Sequence, residues 1–138
     1  MKSTIPFAYI IDDDPLNNAI LTKALQKKEL VDTVLSSTSA ENALIYFDQL
    51  NSEESCFPSL IFVDLKMPGM SGWDFVETFQ YRYSHKTETK IIIVSGTANI
   101  NDLVTVQMKK DQVRYIQKPV TLGELETLFA GFENENVS

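Results

Sequence analysis

Three stretches of this sequence are apolar without interruption, and each stops at a polar residue. They are Phe7-Ala8-Tyr9-Ile10-Ile11, Leu60-Ile61-Phe62-Val63 and Ile91-Ile92-Ile93-Val94. Short runs rich in β-branched and aromatic residues read as strands, and the lack of polar alternation means that both faces of each strand are buried. A parallel sheet covered by helices on both sides meets that demand. Two weaker runs, Val31 to Ser37 and Val113 to Ile116, are less apolar and suit strands nearer the edges.

The segments between the runs have helical spacing. Leu16, Ile20 and Ala24 follow the first run. Ala40, Ala43, Leu44, Phe47 and Leu50 follow the second, and Trp73, Val76, Phe79 and Tyr83 the third. Ile100, Leu103, Val104 and Met108 form a further stripe, and Leu122, Leu125, Leu128, Phe129 and Phe132 the last. Asp14-Pro15 is a strong helix start, with Asp as the cap and Pro at the first helical position. The order is β-α repeated five times, which implies an α/β doubly wound parallel sheet joined by right-handed crossovers. No shift in composition divides the 138 residues, a length that suits one domain, here with a core of about 7–132. Asn51–Ser55 and Ser84–Lys90 read as loops or helix ends, and Glu133–Ser138 as a short frayed tail.

Composition excludes several functions. With 12 basic and 19 acidic residues the net charge is −7, which opposes direct binding to nucleic acid or an anionic membrane. The single cysteine, Cys56, cannot form an internal disulfide or a multi-cysteine zinc site. The apolar stretch after Lys2 is too short for a signal-peptide core and runs into Asp12, Asp13 and Asp14. No apolar run approaches the ~20 residues that span a bilayer, so a cytoplasmic protein is expected.

In an open parallel sheet, ligands bind beyond the carboxyl ends of the strands, where the strand order reverses. The residues just after each run are therefore the informative ones. Asp12, Asp13 and Asp14 follow the first strand, Asp64 the third, Ser95 and Gly96 the fourth, and Lys118-Pro119 the fifth. Taken singly, an Asp or Ser there is commonly a helix cap, as Asp14 is expected to be, and a Lys before Pro is commonly a solvated loop residue. Together they set carboxylates, a hydroxyl and an ammonium along one edge. Asp12, Asp13 and Asp64 would repel one another unless a cation intervened. Mg²⁺ favours oxygen ligands, keeps several waters and is held by one or two carboxylates plus a phosphate oxygen. Lys118 would supply a point charge for a phosphoryl group, Ser95 a hydroxyl donor, and Gly96 a close backbone approach. Asp64 is the best-placed carboxylate nucleophile, since aspartyl phosphates are an established covalent class.

These residues together resemble the receiver domain of two-component response regulators, over roughly Phe7 to Phe132. The motifs are Ile10-Ile11-Asp12-Asp13-Asp14, Val63-Asp64-Leu65-Lys66-Met67-Pro68-Gly69-Met70-Ser71-Gly72, Val94-Ser95-Gly96 and Tyr115-Ile116-Gln117-Lys118-Pro119. The resemblance implies a flavodoxin-like five-stranded parallel sheet of order 2-1-3-4-5. It implies that Asp64 accepts a phosphoryl group from a phosphohistidine of a sensor histidine kinase or phosphotransfer protein. Mg²⁺ would be held directly by Asp13, mainly through water by Asp12, by Asp64, and by the backbone carbonyl of Lys66. Lys118 would pair with Asp64 before phosphorylation and with the phosphoryl group afterwards, across a cis bond to Pro119. Ser95 would swing toward the phosphoryl oxygen, and Tyr115 would follow inward. Such a protein signals and catalyses only its own phosphorylation and dephosphorylation. Lys66 and Thr97 occupy two positions that tune dephosphorylation in the family. The Asn51–Phe57 and Ser84–Lys90 connections are longer than in minimal receivers.

Because the sequence carries no DNA-binding or enzymatic segment, a stand-alone, CheY-like receiver is expected, acting by protein–protein contact. Its output would pass through the face of the fourth helix, fifth strand and fifth helix, to a target protein or a second copy. Three other readings compete. A receiver-like module that takes no phosphate would lack an acidic residue, the acceptor or the lysine, and all are present. A haloacid-dehalogenase-type phosphatase would match Asp12-x-Asp14 but needs further acids just after a late strand, and the two aspartates that follow Ile91, Asp102 and Asp111, do not sit there. A histidine phosphotransfer protein needs a helical histidine, and the lone His85 lies in a polar stretch.

Overall fold

The computed structural model of the protein describes residues 5–50 and 57–137, the last five by backbone alone. Lys2, the Asn51–Ser55 stretch and Cys56 lie outside the described residues. The elements run β1 (Ile5–Ile11), α1 (Pro15–Lys27), β2 (Val31–Ser37), α2 (Ala40–Leu50), β3 (Leu60–Asp64), α3 (Gly72–Tyr83), β4 (Lys90–Ser95), α4 (Ile100–Met108), β5 (Val113–Gln117) and α5 (Leu122–Val137). All strand pairs are parallel, in the order 2-1-3-4-5. The two less apolar strands, β2 and β5, are the edges, as their composition demands.

Strand periodicity divides the core into two. Tyr9, Ile11, Ile61, Val63, Ile91 and Ile93 point to one face, where Ala43, Leu44 and Phe47 of α2 and Phe75, Val76 and Phe79 of α3 cover them. The alternate residues Ala8, Ile10, Leu60, Phe62, Ile92 and Val94 meet Leu21 and Leu25 of α1 and Leu125, Phe129 and Phe132 of α5. The uninterrupted apolar runs are thus two interleaved patterns, one for each helix layer.

Three expectations about the helices need correction. In α1 the residues Leu16 and Ile20 face solvent, and Asn18, Leu21 and Leu25 turn inward. Both sets have helical spacing, and a helix apolar on two sides does not declare which side is inner. In α4 the stripe of Ile100, Leu103, Val104 and Met108 is exposed, and no residue of the helix is buried. α4 leans on β5, the edge strand, where little sheet surface is left to cover. The tail expected from Glu133 instead continues α5 to Val137. Elongation adds one hydrogen bond per residue once a turn is nucleated, and Phe129 and Phe132 fix that turn against the core.

Candidate functional site

Register brings the strand ends to one height. Ile11 lies opposite Val63, so Asp12 and Asp64 emerge side by side from β1 and β3. Asp64 pairs with Val94 and Ser95 with Gln117, so Ser95 and Lys118 follow one step further along the same edge. The chain leaves β1 for β2 on one side and returns to β3 on the other, so the crevice between β1 and β3 is the switch point.

Asp12 is buried, and its carboxylate is held from several sides. It accepts the Asp14 N–H at 2.9 Å, the Asn17 amide at 3.4 Å and the Lys118 ammonium at 2.9 Å. Asn18, also buried, donates to the Asp12 and Ser37 carbonyls and so ties β1 to β2 behind the site. Asp14 caps α1 through the Leu16 N–H, as expected, and Asp13 is exposed. Oxygens of Asp12, Asp13 and Asp64 lie within 4.8 Å of one another.

Lys118 Nζ bridges two acids, 2.9 Å from Asp12 and 3.4 Å from Asp64. Its shorter contact is with Asp12, whereas the expected partner was Asp64. The Lys118–Pro119 bond is cis. Burial acts to lower the Lys118 pKa, but the hydrogen bond and charge of Asp12, with the charge of Asp64, hold it above the ordinary value. Asp64 moves the other way from most paired acids. Its burial, helped by the charge of Asp12, pushes its carboxyl above the usual range, against Lys118 and the Lys66 N–H.

The fourth-strand end is built around the backbone. Ser95 is buried, and its hydroxyl accepts the Thr97 N–H at 3.1 Å. Half-buried Tyr115 donates its hydroxyl to the Ser95 carbonyl at 2.9 Å. Gly96 is not crowded, since a Cβ there would lie 3.6 Å from Lys118 Cβ, an ordinary contact. A separate close approach within the protein lies at Gly72, where a Cβ would sit 2.5 Å from the Asp64 carbonyl oxygen. The Gly72 N–H also donates to the Leu65 carbonyl at 2.9 Å, so α3 begins directly against the Asp64 backbone.

Sequence reasoning missed two supports. Glu41, in the first turn of α2, accepts the Met70 N–H at 3.2 Å and so pins the loop after Asp64. Gly69 in that loop has φ +75°, and a Cβ there would meet the Glu41 carboxylate at 2.5 Å. Asn17 and Asn18 were the second miss, because a polar residue in an apolar helix reads as surface. Nothing local in the sequence links residue 41 to residue 70, or residue 18 to residue 37.

All the candidate metal ligands are oxygens, and three carboxylates face one ammonium. That excess of negative charge on hard donors fits a divalent cation such as Mg²⁺. Asp12, Asp13 and Asp64 would hold it.

The family model for the response regulator receiver domain matches residues 8–130. A two-component response regulator from Cytophaga hutchinsonii superposes with a TM-score of 0.83 at 26% identity, covering 96% of this chain and 99% of that one. The chemotaxis protein CheY4 of Vibrio cholerae superposes with a TM-score of 0.73 at 17% identity, over 92% and 98% of the two chains, a likeness of fold alone. The hybrid signal transduction histidine kinase L of Dictyostelium discoideum is 27% identical over 128 residues. That match covers 86% of this chain but 7% of the length of that relative. Among the described residues, no helix is long and apolar enough to cross a membrane.

Proposed function

The chain belongs to the response regulator receiver domain family, and from that premise we propose that it accepts a phosphoryl group on Asp64 and passes the signal on through protein contacts. The observation that carries this reading is the meeting of three carboxylates and the Lys118 ammonium at the switch point of the sheet. A phosphohistidine of a histidine kinase or phosphotransfer protein is the donor. An Asp64 carboxylate oxygen attacks phosphorus, the phosphorus–nitrogen bond breaks, and the imidazole leaves.

The chain's own groups position this exchange. Lys118 lies within reach of Asp64 and supplies positive charge to the incoming oxygens. The Lys66 N–H and the short approach at Gly72 fix the Asp64 backbone and carboxylate. Asp12, Asp13, Asp64 and the Lys66 carbonyl would hold Mg²⁺, which when bound neutralises charge on the phosphoryl group. Ser95 offers a hydroxyl and Gly96 an uncrowded backbone on the side nearest β4. Tyr115 stands between the site and the face of α4, β5 and α5. Two open grooves of about 570 and 470 Å³ flank that tyrosine, one lined by Thr121, Glu124 and Leu128, the other by Val106, Lys110 and Arg114. That face, with exposed Ile100, Leu103, Val104 and Leu122, is the output surface of the proposal.

Incubation with acetyl phosphate and Mg²⁺, followed by mass spectrometry, should place one acyl phosphate on Asp64. EDTA should abolish it. Labelling that persists in Asp64→Asn would overturn the assignment.

A further inference from the structure

α4 buries no side chain fully, Val106 being only partly buried against the core, yet α3 gives three side-chain hydrogen bonds to the helix and to the residues that follow it. The indole N–H of Trp73 donates to the Asp102 carboxylate at 2.8 Å. Two turns further along α3, Gln80 accepts from Lys109 at 3.4 Å and donates to Gln112 at 2.9 Å. Residues 73 and 80 are seven apart, so they share one face of α3 and grip the two ends of α4. The Trp73 contact is the shorter one, and it ends on a carboxylate. The second oxygen of Asp102 is also engaged, accepting the Asn99 N–H at 2.9 Å as half of the α4 capping box. Asp102 therefore joins the cap of α4 to the first turn of α3.

The two ends of this contact belong to different parts of the site. Trp73 follows Gly72, which is fixed against the backbone of Asp64 and Leu65. Asp102 belongs to the segment that leaves β4 through Ser95 and Thr97, where the Ser95 hydroxyl meets the Thr97 N–H at 3.1 Å and the Thr97 hydroxyl at 3.5 Å. A phosphoryl group on Asp64 that turns the Ser95 side chain toward itself would draw its oxygen away from the Thr97 N–H. The Thr97–Asn99 connection would then be free to shift, while Trp73 stays with the acceptor strand. The Trp73–Asp102 bond spans the fixed and the movable part.

Resting on the reading of Asp64 as the acceptor, we propose that the Trp73–Asp102 hydrogen bond is a latch that holds α4 in its unphosphorylated position and opens on phosphorylation. A contact made in only one of two states biases the equilibrium toward that state and is opposed by any ligand of the other. Weakening the latch must therefore tighten binding of a phosphoryl mimic.

The chain has one tryptophan, so its single indole N–H resonance reports the latch directly. Beryllofluoride with Mg²⁺ stands in for the phosphoryl group. The expected result is a shift of the indole resonance on saturation, and a beryllofluoride affinity about fivefold tighter in Trp73→Phe and in Asp102→Asn. Trp73→Phe keeps one aromatic ring but removes the donor and some packing, while Asp102→Asn leaves the ring packing intact and keeps the indole as reporter, so the two variants fail independently. Bound fluoride signals and shifted Asp64 and Lys66 amides, with an unmoved indole and unchanged affinities, overturn the latch alone. No bound fluoride in the wild type overturns the reading of Asp64, and the latch with it.

Discussion

Helices α3 and α4 flank neighbouring strands of one sheet, yet they are held in opposite ways. α3 buries Phe75, Val76, Phe79 and Tyr83, and the three aromatic residues among these join Tyr9, Tyr46, Phe47 and Phe57 in a continuous set of ring contacts. Phe47 is fully buried at its centre, with ring centroids 5.0–6.4 Å from six others. α4 presents Ile100, Leu103, Val104 and Met108 to solvent, packs only the partly buried Val106 against the core, and is also held by polar contacts to α3. The difference separates two tasks. On the proposed function, the helix that starts against Asp64 must stay in place, because the acceptor would move with it. On the same proposal, a helix that reports phosphorylation must move while exposing little core, and α4 has only the partly buried Val106 against the core.

The largest test of this contrast lies in the aromatic set. Phe47→Ala should lose about 3–5 kcal/mol of stability by urea titration, through lost transfer energy and a cavity the neighbouring rings cannot fill. Leu103→Ala on α4 should change stability by roughly 0.5 kcal/mol or less. Similar losses from the two substitutions would break the comparison.

Gly72→Ala sharpens it at the junction of α3 and the acceptor. In an exposed helix, Gly→Ala stabilises by ~1 kcal/mol. Here the added methyl group would lie 2.5 Å from the Asp64 carbonyl oxygen and 2.8 Å from Leu65 Cα, both backbone atoms. The expected sign is reversed, a loss of about 1–3 kcal/mol, together with slower phosphorylation by acetyl phosphate as Asp64 is displaced. A higher melting temperature for this variant would show that the methyl group is accommodated freely.

The sequence carried the strands and their order of burial plainly, because a two-sided strand admits no polar interruption and the chain has three such runs. It also carried Asp12, Asp13, Asp64, Ser95 and Lys118, because parallel strands deliver their last residues to one edge. What it did not carry was the direction of a helix face. Leu16 and Ile20 have the same spacing as Leu21 and Leu25, and only the position of α1 on the sheet decides between them. The α4 stripe failed for a related reason, since its helix lies over an edge strand. Glu41, Asn18 and the Trp73–Asp102 pair are long-range contacts, and no local pattern announces them.

A smaller effect is expected at Asp64 itself. Its raised pKa means that the fold prefers the protonated carboxyl. The stability linked to this group is present below its unfolded pKa and is lost as pH rises through the higher folded value. At neutral pH, without divalent cation, the ionised group therefore weighs against the fold. Asp64→Asn removes that charge while Lys118 keeps Asp12 as a partner. The variant should melt above the wild type at pH 7 in EDTA, and the gap should close as pH falls below about 4. A variant that melts lower at pH 7 would show that the Lys118 pair outweighs the burial.

The smallest expected effect is on α4, where an unchanged stability is the informative outcome. Ile100 and Met108 are 71% and 81% exposed. Met108→Gln exchanges residues of nearly equal helix propensity, so no intrinsic term should intervene. Because the Met108 side chain lies in solvent, stability should stay within ~0.5 kcal/mol of the wild type by urea titration. Hydrogen exchange should separate the helices in the same sample. Amides of α4 should exchange through local opening, well below the free energy of global unfolding, whereas those of α3 from Val76 to Phe79 should approach the global value. The two measurements together decide whether α4 is an element apart. If Met108→Gln cost more than ~1 kcal/mol, or if α4 and α3 exchanged alike, the helix would be part of the cooperative core. Its polar contacts to Trp73 and Gln80 would then be too small a share of its attachment to govern its position.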